Sequence, residues 1–349
     1  MDNLIQGRGA FTNPHNKYSA QDIGRFHNEG IDDYEISSER TKFLSEYPQH
    51  IISKNSSPDV PFNISVNPYQ GCEHGCVYCY ARESHQYWGY SAGLDFESKI
   101  IVKHNAVNLL EQAFLNPKWK VEPVMFSGNT DCYQPAERRY KLTQSLLETC
   151  LKFRNPVSII TKNSLILRDL DILEKLAAHN LVHVMISVTT LNEMLRRKLE
   201  PRTATSAKRL EVVRRLAAAK VPVGVMMAPI IPGLNMSEIP AIIEAAADAG
   251  AYDISHTILR LNGAIEVLFK NWLRAVYPHK ADKILSQVQA THGGKVSDSR
   301  FMKRMLGEGR VAEMVSQMVK IAKQKYLKAD GLPKFDTTKF RMGGMYTIW

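Results

Sequence analysis

From about residue 62 onward the chain repeats one order six times: a short apolar, β-branched run, then a longer stretch with helical spacing. The runs are residues 62–66, 124–127, 157–161, 182–188, 221–227 and 253–259. Helical periods lie between them, as at 141–153, 170–179, 207–219 and 238–249. Strands that are apolar along their whole length and alternate with helices imply a parallel sheet buried on both faces. Six such units predict an α/β fold, a partial (β/α)6 barrel, with chemistry at the carboxyl ends of the strands. A further run at 99–102 reads as an extra edge strand or a loop.

The flanks differ from this core. Residues 1–60 are polar, carry Gly7, Gly9, Pro14, Gly24, Gly30, Pro48 and Pro58, and show no sustained period. They read as an N-terminal extension that wraps the fold or stays partly mobile. After Leu259, helical spacing returns at 264–277, 281–291 and 312–327 with no further strand signal, and a tail follows with Gly343, Gly344, Tyr346 and Trp349. The expected division is an extension at 1–60, a barrel core at 61–262, and a C-terminal helical cap and tail at 263–349.

Composition excludes some classes. Hydrophobic residues at 44% and charged residues at 23% rule out wholesale disorder. No apolar stretch is long enough for a transmembrane helix, and the first 30 residues lack the apolar segment of a secretory signal. A cytoplasmic protein with no membrane partner is expected. Lys and Arg number 45 against 35 Asp and Glu, a formal charge of +10. That excess leans toward a polyanion such as nucleic acid, with a plain solvated basic surface as the alternative.

Cysteine usage narrows the chemistry. The chain has 5 cysteines, an odd number and too few for a disulfide scaffold. Cys72, Cys76 and Cys79 crowd into one segment directly after the first strand run, while Cys132 and Cys150 stand apart. Such spacing suits a loop folded around a compact metal group, with Gly71 and Gly75 supplying unusual backbone angles. Thiolates are the usual ligands of iron–sulfur clusters, commonly four per cluster. Three local thiolates would leave one iron of a [4Fe–4S] cube open to another ligand. Zinc completed by His74 or His85, a redox Cys-x-x-Cys pair and buried structural thiols are the competing readings.

The segment Cys72-x3-Cys76-x2-Cys79, with Tyr78 just before the third cysteine and a strand run ahead of it, resembles the radical S-adenosylmethionine superfamily. Cys76-Val77-Tyr78-Cys79-Tyr80, followed downstream by Ser127-Gly128-Asn129-Thr130-Asp131, is similar to its spore photoproduct lyase-like branch, whose members are often labelled DNA repair photolyases. The resemblance covers residues 60–260 best. It implies an enzyme of lyase-like type with a [4Fe–4S] cluster and S-adenosyl-L-methionine as cofactors. The reduced cluster would cleave the sulfonium to a 5′-deoxyadenosyl radical, which abstracts hydrogen from a substrate. A reductant protein such as flavodoxin or ferredoxin would be a partner.

The resemblance also implies roles. Cys72, Cys76 and Cys79 match the cluster ligands, and Tyr78 matches the aromatic whose backbone lies against the adenine. Ser127, Gly128, Asn129 and Thr130 match the element that meets the methionine amino group. Lys162 ends the third strand run, where a cation suits the methionine carboxylate. Ser187, ending the fourth, matches a carboxylate or ribose contact, or else caps the next helix. Glu200 and Arg202 are further polar candidates, and Ile231 in Pro229-Ile230-Ile231-Pro232-Gly233 resembles the adenine-side wall. Asp131 and Glu137 read as first-turn or capping acids.

One departure stands out. Spore photoproduct lyase uses a cysteine as hydrogen donor near the element after strand two, and Gly128 aligns with that place. Cys132 and Tyr133 are the nearest groups able to relay a radical, with burial as a structural thiol the alternative for Cys132. Thymine-dimer repair is therefore not expected. Two thiols left over, Cys132 and Cys150, cannot hold an auxiliary cluster. Residues 196–220 hold nine cations against two acids, and 295–328 nine against three, two candidate phosphate-tracking surfaces or else solvated helix faces. An iron–sulfur nucleic-acid-binding or redox-sensing protein without turnover is the alternative function.

Overall fold

The computed structural model describes residues 7–19, 40–328 and 331–344; Gly24, Gly30, Tyr346 and Trp349, noted above, lie outside them. Among the described residues the strands are β1 (Lys42–Glu46), β2 (Ile52–Lys54), β3 (Ile64–Val66), β4 (Tyr69–Gln70), β5 (Lys99–Lys103), β6 (Val124–Phe126), β7 (Val157–Thr161), β8 (Val182–Ser187), β9 (Val223–Ile230) and β10 (Asp253–Ile258). The larger sheet runs β10-β9-β8-β7-β6-β3-β2. β3 and β6 to β10 are mutually parallel and correspond to the six sequence runs. β2 joins antiparallel at one edge and β10 is the other edge, so the sheet is open, as a partial barrel requires.

The β-branched content of these runs explains their burial. Val157, Ile159, Val182, Val184, Ile186, Val223 and Val225 are wholly or almost wholly buried in the main core. The intervening helices cover the sheet with one apolar stripe each. Leu170–Ala177, for example, buries Ile172, Leu173 and Leu176 and leaves Asp171, Glu174 and Lys175 outside. Helix Ser206–Ala218 starts where Thr205 accepts a hydrogen bond from the Lys208 amide.

Two expectations change. Residues 99–103 form the central strand of a second sheet, ordered β1-β5-β4, rather than an edge strand or loop. The N-terminal region, expected to lack strands, supplies β1 to that sheet and β2 to the larger one. Both are short and half-exposed with polar residues interleaved, so their apolar alternation is faint in the sequence.

Beyond β10 come helices Ala264–Val276, Ala281–Ala290, Lys303–Leu306 and Gly309–Tyr326. Lys323 ties the last of these to β10 by donating to Asp253 Oδ1 at 2.7 Å and to the Ile254 carbonyl at 2.9 Å. None of the helices among the described residues is long and apolar enough to cross a membrane.

Candidate functional site

The three thiols occupy the loop that leaves β3, and the small sheet fixes where that loop begins. Tyr69 and Gln70 pair with Val102 and Ile101 of β5, and the Cys72 amide donates to the Phe96 carbonyl at 2.8 Å. Gly71 then takes φ +78° and Gly75 φ +67°. A Cβ at Gly71 would stand 2.8 Å from the Lys99 carbonyl oxygen, so both the angle and the space demand glycine. Cys72 and Cys76 are buried and Cys79 is half-buried, and all are free thiols. Burial pushes the pKa of Cys72, Cys76 and Cys79 upward, while the Lys162 charge pulls back on Cys76, and Arg82 and then Lys162 on Cys79.

A buried ion pair holds this loop from behind. Arg82 and Glu97, both side chains fully buried, meet at 2.5 Å. Arg82 also donates from Nε and Nη2 to the Cys76 carbonyl at 3.0 and 2.8 Å, and from Nη1 to the Ala92 and Gly93 carbonyls. Glu97 accepts the amides of Gly9 and Ala10 at 3.0 and 2.8 Å. The N-terminal segment is thus clamped onto the thiol loop, as a wrapping extension would be. Neither Arg82 nor Glu97 stands out in the sequence, because the fork is assembled from three separated segments. Its only trace is two charges close to a cysteine motif.

The ends of β6 and β7 supply the next layer. Ser127 sits at φ +71°, and its hydroxyl accepts the Cys132 amide at 2.8 Å. Asn129 links Asn67, Gln70 and Ser84 through its amide and side chain, and Thr130 donates to the Tyr69 carbonyl at 2.6 Å. Tyr80 is exposed, and its hydroxyl donates to the Gly128 carbonyl at 2.9 Å. Asp131 is a brace rather than a helix cap: it accepts Thr161 Oγ1 and the Lys162 amide, each at 2.8 Å, and lies 3.2 Å from His74 Nδ1. Burial alone would raise its pKa, but His74 and these donors hold it below the ordinary value. Glu137 does lie in the first turn of helix Glu137–Tyr140, where it accepts Tyr69 Oη and pairs with Arg168.

Glu200 is the hub of the far wall. Its side chain is fully buried and accepts from Tyr78 Oη, from Thr189 Oγ1 at 2.6 Å and from Arg209 Nη2 at 2.5 Å. Lys162 Nζ stands 3.8 Å from Glu200 and 5.9 Å from the centroid of the Tyr78 ring. Burial would raise this carboxyl, yet Arg209 and then Lys162 bring it down to about 2. Ser187, at the end of β8, is buried and its carbonyl accepts Arg209 Nη1 at 2.9 Å; the next helix is capped by Asn192, so the capping reading of Ser187 falls. Ile231 is fully buried in a second core with Cys76, Val77 and Tyr78. The fold therefore brings Cys76, Tyr78, Lys162, Glu200 and Ile231 to one place.

Other candidates lie apart. Cys132 and Tyr133 are wholly buried in the main core, and the Tyr133 hydroxyl donates to Asp169 at 3.0 Å. Neither side chain is exposed in the fold. Arg202 is exposed and contributes its amide to the His74 carbonyl at 3.3 Å. Cys150 belongs to the same core as Cys132. His74 is held by Asp131 and Asn163, which occupies its ring, whereas His85 is buried beside Tyr90 and Phe96 with neither ring nitrogen hydrogen-bonded among the described residues. In the 196–220 cation cluster, Arg196 and Arg209 are buried structural groups. In the 295–328 cluster, Arg300, Lys303, Arg304 and Lys323 are paired with acids.

A sequence model described as the radical SAM superfamily matches residues 66–246, just over half of the chain. The chain belongs to the radical SAM superfamily. The cofactors of that family are a [4Fe–4S] cluster and S-adenosylmethionine. An uncharacterized protein of Mycobacterium tuberculosis is 34% identical over 221 residues, 63% of this chain and 65% of that protein. One of Methanocaldococcus jannaschii is 30% identical over 169 residues, 48% of this chain and 61% of that protein. The chain thus spans about two thirds or less of the length of these relatives. Spore photoproduct lyase complexed with dinucleoside spore photoproduct shares the fold, with a TM-score of 0.62 at 13% identity over 86% of each chain. The same lyase with bound AdoMet and that dinucleoside gives 0.61, again at 13% identity, over 84% of this chain and 82% of that one.

The radical SAM cofactors fit the residues present. A cube carries its thiolates on separate irons, which suits three unpaired thiols spread along one glycine-bent loop. Lys162 reaches the Tyr78 ring of this loop, its Nζ 5.9 Å from the centroid.

Proposed function

We propose that Cys72, Cys76 and Cys79 hold the [4Fe–4S] cluster, and that the chain uses it to act on a nucleic acid or nucleotide-like substrate. When bound, the reduced cluster and S-adenosylmethionine supply a 5′-deoxyadenosyl radical that removes a hydrogen atom from the substrate. Cys72, Cys76 and Cys79 would hold the cluster through their thiolates. Lys162 pairs with the methionine carboxylate, a charge-assisted contact for which its ammonium is held by Glu200. Tyr78 and Ile231 form the apolar adenine side, and Ser187, Asn129 and Thr130 line the strand ends. Arg82 and Glu97 keep the thiol loop in register and the N-terminal segment over it, which limits water at the cluster. An electron donor of the flavodoxin or ferredoxin kind reduces the cluster.

The observation that supports this reading is Lys162, the residue after β7, standing 3.8 Å from Glu200 and 5.9 Å from the centroid of the ring of Tyr78 in the thiol loop. A redox sensor without turnover has no need of a carboxylate-binding lysine there. The nucleic-acid part rests on the charge of +10 and on exposed aromatics, Tyr80 among them, next to the loop. The test is anaerobic reconstitution, reduction in the presence of S-adenosylmethionine, and assay of 5′-deoxyadenosine. Formation well above a Cys76→Ala control supports turnover; equal amounts in both sink it.

A further inference from the structure

Past the end of β10 the chain presents Arg260, half-buried and without an acidic partner or hydrogen bond among the described residues. Its surroundings explain why that is unusual. The helix Lys303–Leu306, which carries Arg304, packs against β10; burial and Arg304 disfavour the Arg260 charge, and Asp59 favours it. Arg304 is itself paired with Asp59 at 2.6 Å, so the three side chains leave one positive charge uncompensated. A desolvated cation held without a partner is costly unless something else completes it.

A second observation points the same way. The Asp59 side chain is only 4% exposed, and its Oδ1 has no hydrogen-bond partner. A buried carboxylate oxygen left open asks for a donor. Beside these groups are two exposed rings. Tyr80 directly follows Cys79, and Phe301 carries the Arg304 guanidinium 4.7 Å from its ring centroid. An open cation, an open acceptor and two aromatic faces match the three parts of a nucleotide: phosphate, base N–H and base π-face.

We infer that Arg260, past the end of β10 where the Asp59–Arg304 pair and the Phe301 ring against it pack, is a subsite that holds a phosphate of a nucleotide unit. The inference rests on the substrate class proposed above and names the residue that recognises it. The guanidinium fork suits two phosphate oxygens at once, which a lysine does not reproduce. The phosphate comes from a free nucleotide or from a strand, and the two are separable.

The test is fluorescence anisotropy on the anaerobic holoprotein with a short labelled DNA single strand, its uncharged methylphosphonate analogue, and a mononucleotide as competitor. The charged strand should bind, with its affinity reduced about tenfold or more in the analogue and about tenfold in Arg260→Gln. Arg260→Lys should recover part of the loss. Displacement by the mononucleotide assigns the phosphate to a free nucleotide, and its absence to a strand; both support the subsite. Should Arg260→Gln misfold, the two backbones compared on the natural protein still decide, because equal affinities overturn the subsite. Strand binding untouched by Arg260→Gln overturns the subsite alone and leaves the substrate class standing. Failure of every probe removes both, while 5′-deoxyadenosine formation without substrate still reports on the radical chemistry separately.

Discussion

Gly9 lies so close to Gly75 that a methyl group on its Cα would come within 1.8 Å of the Gly75 carbonyl oxygen. Residues 66 positions apart thus touch backbone to backbone, with the Gly9 amide fastened to Glu97. Gly9→Ala should push the N-terminal segment off the thiol loop at a cost of about 1–3 kcal/mol. The expected result is a lower melting temperature, less iron retained per chain, and faster bleaching of the cluster absorbance in air. Iron content and bleaching rate equal to the natural protein would mean that this segment does not shield the loop.

Gly128 explains in physical terms why a hydrogen-donating cysteine does not stand after the second core strand. A Cβ there would lie 2.7 Å from Ser65 Cβ and 3.0 Å from Ser65 Oγ. Gly128→Cys should therefore destabilise by about 1–3 kcal/mol, and adding Ser65→Gly should recover most of that loss. Denaturant melts of the two single variants and the double variant measure the coupling. Simple additivity would show that the crowding is relieved elsewhere.

The six core strands and the thiol loop are legible in the sequence because each rests on a local pattern: β-branched runs for the strands, and three cysteines with two bending glycines for the loop. What is assembled from distant segments is not. Glu200 ranks low beside Lys162 when read along the chain, yet Tyr78, Thr189, Arg209 and Lys162 converge on it from four elements. Arg82 and Glu97 leave no signature at all, since a buried fork is defined only by what folds around it. Cys132 and Tyr133 show how burial, too, escapes a reading along the chain. They follow a strand end closely, but the positive φ at Ser127 turns the chain before they are reached, and their side chains join the core.

Glu200 carries a pH signature. Its carboxyl is held at about 2 in the folded chain against an ordinary 4.5, because Arg209 and Lys162 outweigh its burial. A depressed folded pKa contributes stability that is fully present above pH 4.5 and is lost as pH falls through 2. The shift corresponds to about 3 kcal/mol. Glu200→Gln keeps the shape but leaves Arg209 buried without its counter-charge, so stability at neutral pH should drop by about 3–5 kcal/mol. The variant should also lose part of the acid dependence between those two pH values. Melting temperatures recorded from pH 7 downward test both effects, and parallel curves for the two proteins would contradict the pairing.

Lys162 separates cofactor binding from folding. Its Nζ is 3.8 Å from Glu200 while Arg209 pairs with that carboxylate at 2.5 Å, so on removal of Lys162 the larger share of the Glu200 pairing stays with Arg209. Its charge nevertheless acts on Cys76 and Cys79, which puts it where a methionine carboxylate would lie if the thiols carry the cluster. Lys162→Gln should therefore leave the melting temperature within a few degrees while weakening S-adenosylmethionine binding about tenfold or more, as expected for loss of a charge-assisted contact. Equilibrium dialysis of labelled S-adenosylmethionine onto the reconstituted protein reads the affinity directly. Lys162→Arg should retain more of it than Lys162→Gln, since the positive charge survives. Unchanged affinity in the glutamine variant would assign the carboxylate to another cation, with Arg209 the nearest that shares Glu200.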